Sequence, residues 1–211
     1  MTDDPAGDTL PGMNQSKRDA VQPRGEARRH AMIQAVIRVL AREGAAGVTL
    51  RAVAEEAGAA HGTARYYFST KDEMLAEALS AIVLEQANEV RGLLRRFEGA
   101  EDEELGAALA EHLARRLNEV RDKEIARYEL FLAAARTGRF QEALEAWASA
   151  YSEFFAEREA SRGRRRCEMK FMRFLNLMNG LLLQQLAAPV ERFEQDVLAP
   201  AIADYFADQS E

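Results

Sequence analysis

The sequence predicts an all-α protein of about nine helices, on three observations. Apolar residues recur at three- and four-residue steps in every long segment, and no segment alternates as a strand would. Helix breakers punctuate the chain at Gly44, Gly58, Gly99, Gly138, Gly163 and Pro189. Near the N-terminus, two short periodic segments flank a tight Gly-containing turn, the pattern of a helix-turn-helix.

Residues 1–23 mix Pro, Gly, Asp and Ser without apolar periodicity and read as a disordered tail. From Arg24 to Glu43, Met32, Ala35, Val36, Val39 and Leu40 make one buried stripe, with Arg28, Arg29, Arg38 and Arg42 largely off it. Gly44 ends that helix. Thr49 caps a second helix, Leu50–Ala57, which turns Leu50, Val53 and Ala54 inward, and Gly58 stops it. A third short helix covers His61–Tyr67, with Phe68 read as a core aromatic.

Thr70 and Glu73 have the spacing of a capping box, so a long fourth helix starts there and runs to about Phe97. Further helices are expected over residues 101–120, 122–136, 139–161, 165–187 and 190–208. The acids Glu101–Glu104 suit a helix N-terminus. The run Arg162-Gly163-Arg164-Arg165-Arg166 reads as a solvated junction rather than a nucleic-acid patch.

Bulk properties restrict the function. The chain has 211 residues, 47% of them hydrophobic and 30% charged, enough for a small N-terminal domain and a larger helical one. The expected division is a tail at 1–23, a DNA-binding domain at 24–84 with its helix-turn-helix at 49–68, and a helical domain at 85–211. No apolar run approaches the ~20 residues of a membrane span, and the N-terminus lacks the order of a secretory signal. The single Cys167 cannot form an intrachain disulfide and reads as an inert thiol rather than a redox switch. A cytoplasmic location is the expectation.

The net charge of −7 is unevenly spread. Residues 16–75 carry ten Lys/Arg against seven Asp/Glu, whereas 76–211 carry eighteen against twenty-five. One end of the molecule is thus the end that attracts phosphates. His30, His61, His112 and Cys167 are scattered, without metal-ligand spacing, nucleophile elbow or phosphate-cradling loop. Neither an enzyme, nor a metal, nor a cofactor is expected. A helical protein-binding adaptor is the rival to a DNA reader.

The third helix has the chemistry of a major-groove reader. Gly62 permits close backbone approach, Thr63, Tyr66 and Tyr67 offer hydroxyls, and Arg65 offers a guanidinium fork. His61 leads the helix, and Lys71 begins the next, where free amides also favour phosphate. Arg51 points either to DNA or to solvent.

The stretch Glu43–Gly58 followed by Gly62–Lys71, with Gly44, Thr49, Ala54, Gly58, Gly62-Thr63, Tyr67-Phe68 and Lys71 in register, closely resembles the tetracycline-repressor (TetR) family over about residues 26–85. The resemblance implies a homodimeric regulator, usually a repressor, that binds double-stranded DNA at a palindromic operator and leaves it when a small-molecule effector enters the C-terminal domain. By position it implies that Thr49 and Lys71 clamp phosphates, that Tyr66 and Tyr67 hold the backbone, and that His61, Gly62, Thr63 and Arg65 face bases or nearby phosphates. Three positions depart from the family pattern. Ala60 replaces the usual Ser or Thr cap, Ala64 a larger apolar residue and Arg65 an aromatic, so the base preference is not carried over.

The C-terminal region is read physically. The segment 165–187 is apolar nearly all round, with Met169, Met172, Leu175, Met178, Leu182 and Leu186 joined by Phe171, Phe174, Leu177, Leu181 and Leu183. It needs cover on two sides, which predicts a homodimer through the last two helices. The last helix offers Val190, Phe193, Val197, Ala201 and Tyr205 as a stripe, joined by Leu198, Ile202 and Phe206. Tyr128, Phe131, Trp147, Tyr151, Phe154, Phe174 and Met178 are the expected walls of an effector pocket, with His112, Asn176 and Gln184 giving direction.

Overall fold

The computed structural model describes residues 13–138, 141–163 and 168–207, and side chains from Gly25 onward except at 141–143, 146, 147, 150, 151 and 154. No strand occurs among them. Helix α1 spans Met13–Gly47, and its buried stripe consists of Met32, Ala35, Val36, Ile37, Val39 and Leu40. Residues 13–23, expected as tail, continue this helix. Once a stripe anchors a helix, each upstream residue adds a hydrogen bond without a new nucleation cost. Residues 1–12 lie outside the described residues. Helical geometry fails at Gly44, whose φ of 68° and ψ of 178° suit glycine alone.

α2 (Leu50–Glu56) and α3 (His61–Tyr67) follow, joined by a turn in which Gly58 takes a φ of 63°. Both pack on α1, and Val53, Ala54, Ala64 and Phe68 enter one continuous core with Val36 and Leu40. Glu56 ties α2 to α1 by accepting from Arg38 Nε at 2.6 Å and Arg42 Nη1 at 2.8 Å. Those hydrogen bonds hold its carboxyl below the ordinary carboxylate range.

α4 (Lys71–Arg96) starts on the predicted capping residue, with the Glu73 amide donating to Thr70 Oγ1 at 3.1 Å. The return bond differs from expectation, since the Glu73 carboxylate accepts the amide of Ser69, not of Thr70. α4 continues from the small N-terminal bundle into the larger one and packs on α6 (Arg121–Thr137) and α7 (Gln141–Ser161). α5 (Asp102–Glu119) opens with three acids, of which Asp102 accepts from Arg158 Nη2 at 2.9 Å. Arg162, expected as solvated, donates to the Ala100 carbonyl, while Arg164–Arg166 and Cys167 lie outside the described residues.

α8 (Glu168–Ala187) and α9 (Ala199–Ala207) complete the larger bundle. The regular helix expected from residue 190 is replaced by a turn and a π-helical segment, Glu194–Leu198, before α9. The cause is Pro200, which has no N–H and whose ring excludes a carbonyl four residues back. With the wider turn, the expected Phe193, Leu198, Ile202, Tyr205 and Phe206 are buried, while the expected Val197 and Ala201 are only half-buried and Val190 is exposed.

Candidate functional site

The outward face of α3 is set by what the helix must bury. Ala64 is fully enclosed and Phe68 just beyond the helix is 1% exposed, so both belong to the core. Turned by helical spacing to the other side, His61, Gly62, Arg65 and Tyr66 are exposed, and Thr63 and Tyr67 are half-buried at its margin. Tyr66 is 83% exposed and meets Tyr67 edge to face, with ring centroids 5.0 Å apart. A Cβ built on Gly62 would meet nothing within 4 Å, so that surface is open to an approaching backbone.

Flanking groups are held by local hydrogen bonds. Thr49 Oγ1 accepts the Ala52 amide at 3.1 Å while its side stays exposed. Lys71 Nζ donates to the Ala46 carbonyl at 3.1 Å, which fixes the start of α4 against the end of α1. Ala60 caps α3 without any side-chain bond. Arg51 is engaged by Glu55 one turn along its own helix at 2.9 Å, so its guanidinium is partly neutralised, whereas Arg65 stands exposed. The exposed side of α3 thus presents a cation, phenolic hydroxyls and an imidazole around a glycine gap, donors suited to phosphates and base edges.

A second site lies inside the larger bundle. A cavity of about 70 Å³ is bounded on one side by aliphatic and aromatic groups, among them Leu109, Phe155, Phe171, Phe174 and Met178. Its other side is polar: Gln86, His112, Arg116, Glu124, Arg127 and Asn179. Glu124 is the hub. Its Oε1 accepts from Gln86 Nε2 at 2.9 Å and Arg116 Nε at 2.8 Å, and its Oε2 from Arg127 Nε at 3.1 Å and Nη2 at 3.0 Å.

Arg127 reaches on to Asn179 Oδ1 at 2.9 Å, and Arg116 also binds Glu89. Burial by itself would raise the Glu124 carboxyl, but Arg127 and Arg116 outweigh it and hold it below the ordinary value. His112, 5% exposed, receives Arg115 Nη2 on Nδ1 at 3.4 Å. Burial pushes its imidazolium pKa down, against the opposing pull of Glu89.

Of the expected pocket residues, the structure brings His112, Phe174 and Met178 to this cavity. Tyr128 and Phe131 stand beside it, packed edge to face at 6.1 Å under the Arg127 guanidinium, and Tyr128 donates to the Asn179 carbonyl at 2.8 Å. Asn176 and Gln184 do not reach it: both are exposed on the opposite face of α8. Helical spacing explains this, because Phe171, Leu175, Met178 and Leu182 claim the inner face and leave 176 and 184 outside. Trp147, Tyr151 and Phe154 fall on α7, with side chains outside the described residues.

Sequence reasoning missed Gln86, Arg116, Glu124, Arg127 and Asn179. A signal existed, since Arg116 falls seven residues after Leu109, and Glu124 four before Tyr128, inside the stripes that face the core. The outer face of α8 also carries Met169 at 61%, Leu177 at 49% and Leu183 at 48% exposure, a helical row of uncovered apolar groups. No helix of the described residues is long and apolar enough to cross a membrane, and no group of three or more His, Cys, Asp or Glu among them has the arrangement to hold a metal.

Known proteins match both halves. Residues 100–208 fit the family described as "Tetracyclin repressor-like, C-terminal domain", and residues 33–78 fit "Bacterial regulatory proteins, tetR family". The HTH-type transcriptional regulator PksA of Bacillus subtilis (strain 168) is 42% identical over 57 residues, 27% of this chain and only 28% of that protein's own length. Among solved structures, a TetR-family member from Streptomyces coelicolor A3 (SCO1917) superposes with a TM-score of 0.66 at 28% identity, over 84% of this chain and 97% of that one. The multidrug binding protein EbrR complexed with imidazole gives 0.66 at 26% identity, over 84% and 94%. EbrR complexed with ethidium gives 0.62 at 27%, over 84% and 97%.

Proposed function

Because this chain belongs to the tetracycline-repressor family of bacterial regulatory proteins and is a DNA-binding transcriptional regulator, we propose that it represses transcription as a homodimer on a palindromic operator and is released by a small-molecule effector. Residues 24–84 read the DNA, and residues 85–211 hold the effector and join the subunits.

The observation that carries this reading is the outward face of α3, with Arg65, Tyr66, His61 and Gly62 exposed within the segment that matches the family's N-terminal domain. Arg65 contacts a base or a nearby phosphate, while Thr49, Tyr66, Tyr67 and Lys71 position the phosphate backbone. Two such helices, one per subunit, meet successive major grooves about 34 Å apart. Subunits join through the outer face of α8, where Met169, Leu177 and Leu183 are otherwise left in water, together with α9.

The cavity among α4, α5, α6, α7 and α8 is the effector site. It is enclosed mainly by apolar groups with a convergent polar side, the usual make-up of such sites. Bound imidazole and ethidium in structures of the relative EbrR support small-molecule binding by this fold. The decisive experiment titrates the purified protein with fluorescent DNA from its own upstream region at several salt concentrations. Sequence-selective binding that weakens as salt rises is expected. Equal affinity for scrambled DNA would overturn the operator reading.

A further inference from the structure

Resting on that reading of the cavity, we infer that its ligand is an uncharged, largely apolar molecule bearing a hydrogen-bond acceptor, which the Nε2–H of His112 receives. Three features converge on this class.

First, the imidazole has one committed edge and one open edge. A guanidinium has donors only, so the 3.4 Å contact from Arg115 Nη2 requires a lone pair on His112 Nδ1 and leaves the neutral ring's proton on Nε2. That N–H is buried and meets no acceptor within hydrogen-bond reach, since Glu89 Oε2 stands 3.7 Å away. A buried donor without a partner costs stability, and an acceptor delivered by a ligand recovers it.

Second, the acceptors that would welcome a cation are already occupied. Both Glu124 oxygens are taken, by Gln86 and Arg116 on one and by Arg127 on the other, and Glu89 is held by Arg116. The formal charges of Arg116 and Arg127 balance those of Glu124 and Glu89. A cation entering would add an uncompensated buried charge, and an anion would have to take the arginines from their carboxylates.

Third, the remaining surface is apolar, with Phe155, Phe171, Phe174, Leu109 and Met178 around about 70 Å³ of free space. This suits rings or short chains rather than a polar metabolite.

The test uses three probes of one six-membered-ring footprint: 4-pyranone (neutral, with a ring carbonyl), benzene (neutral, no acceptor) and N-methylpyridinium (cationic). Calorimetric titration of the full-length protein is expected to detect both neutral probes and to find N-methylpyridinium at least roughly tenfold weaker than either. In H112L the pyranone-to-benzene affinity ratio falls roughly fivefold, and in H112Q, whose amide still donates, it is largely retained.

A cation that binds as well as benzene would overturn the inference, and that comparison needs no variant should H112L fail to fold. An unchanged ratio in H112L would overturn the role of His112. Binding of all three probes without preference removes the ligand class yet keeps the cavity as a binding site. Binding of none at millimolar concentration, in protein that still binds its upstream DNA, removes the effector reading of the cavity itself.

Discussion

Glu129, in the middle of α6, accepts the backbone amide of Ala45 at 3.4 Å, so a carboxylate of the larger bundle closes the end of the helix on which α2 and α3 pack. α6 is the same helix that carries Glu124 and Arg127 of the cavity wall, and it packs along α1. A Cβ on Gly44 would stand 3.1 Å from the Glu129 carboxylate, at a φ that already disfavours side chains. α4 runs without a break from α3 to the cavity wall at Gln86, and α6 supplies a second link.

Gly44→Ala is therefore expected to destabilise the fold by about 1–2 kcal/mol through backbone strain and crowding. Glu129→Gln is expected to cost about 1 kcal/mol or less, because the amide oxygen still accepts. Urea unfolding checks both. If Gly44→Ala proves neutral, the helix end relaxes freely and α6 does not constrain it.

Removing the hub of the polar wall has a larger effect. Glu124→Leu leaves Arg116 and Arg127 buried without their shared carboxylate, and a broken buried pair typically costs about 3–5 kcal/mol. Unfolding at neutral pH should show it plainly. A loss below 1 kcal/mol would mean that water already reaches these guanidiniums.

Acid should act on the same cavity from two sides. His112 is held neutral below its ordinary pKa, and Glu124 is held ionised below its own. For each, the unfolded chain binds more protons between the two pKa values, so stability is fully present above the unfolded value and is lost as pH falls through the folded one. The melting temperature of the wild type is expected to decline from about pH 6.5 downward, and to decline again below about pH 4.5, the unfolded-chain values of the two groups. His112→Leu should flatten the first decline and leave the second. A curve in H112L that overlays the wild type would exclude His112 as its source.

On DNA, Tyr67→Phe and Lys71→Ala are expected to weaken binding to every sequence alike, and Lys71→Ala to reduce the salt slope by about one unit. Arg65→Ala should instead change the ranking among operator variants, with a penalty of about 1–3 kcal/mol at the base it reads. Measuring the variants over a panel of single-base operator changes separates the two behaviours. An unaltered ranking in R65A assigns Arg65 to a phosphate.

Leu177→Asp and Leu183→Asp place charge on the outer row of α8 and are expected to give monomers by sedimentation, with operator affinity falling far more than affinity for a half-site. A variant that remains dimeric would move the interface elsewhere.

The fold was largely legible because its signals are local. Thr49, Gly58, Thr70, Gly99, Gly138 and Gly163 mark helix ends by capping or by positive φ, which need no tertiary information. The outward face of α3 was legible for the same reason, since Ala64 and Phe68 name the inner side of the helix and leave the outer side to polar groups. The cavity was less so. Aromatics can be expected to line pockets, but whether Asn176 or Asn179 faces inward depends on which neighbours claim α8, and the buried role of Arg116 or Glu124 exists only once three helices converge. The π-helical segment was also out of reach, because a proline inside a periodic stripe signals a defect without specifying which kind.

The Glu124 cluster restricts how related sequences can change. One carboxylate serves Gln86 on α4, Arg116 on α5 and Arg127 on α6, so losing any charged member alone strands the others in the interior. Substitution there is concerted or it is penalised. Descendants that respond to new compounds would sooner alter the independent apolar positions, such as Leu109 or Met178, and inherit the polar side intact.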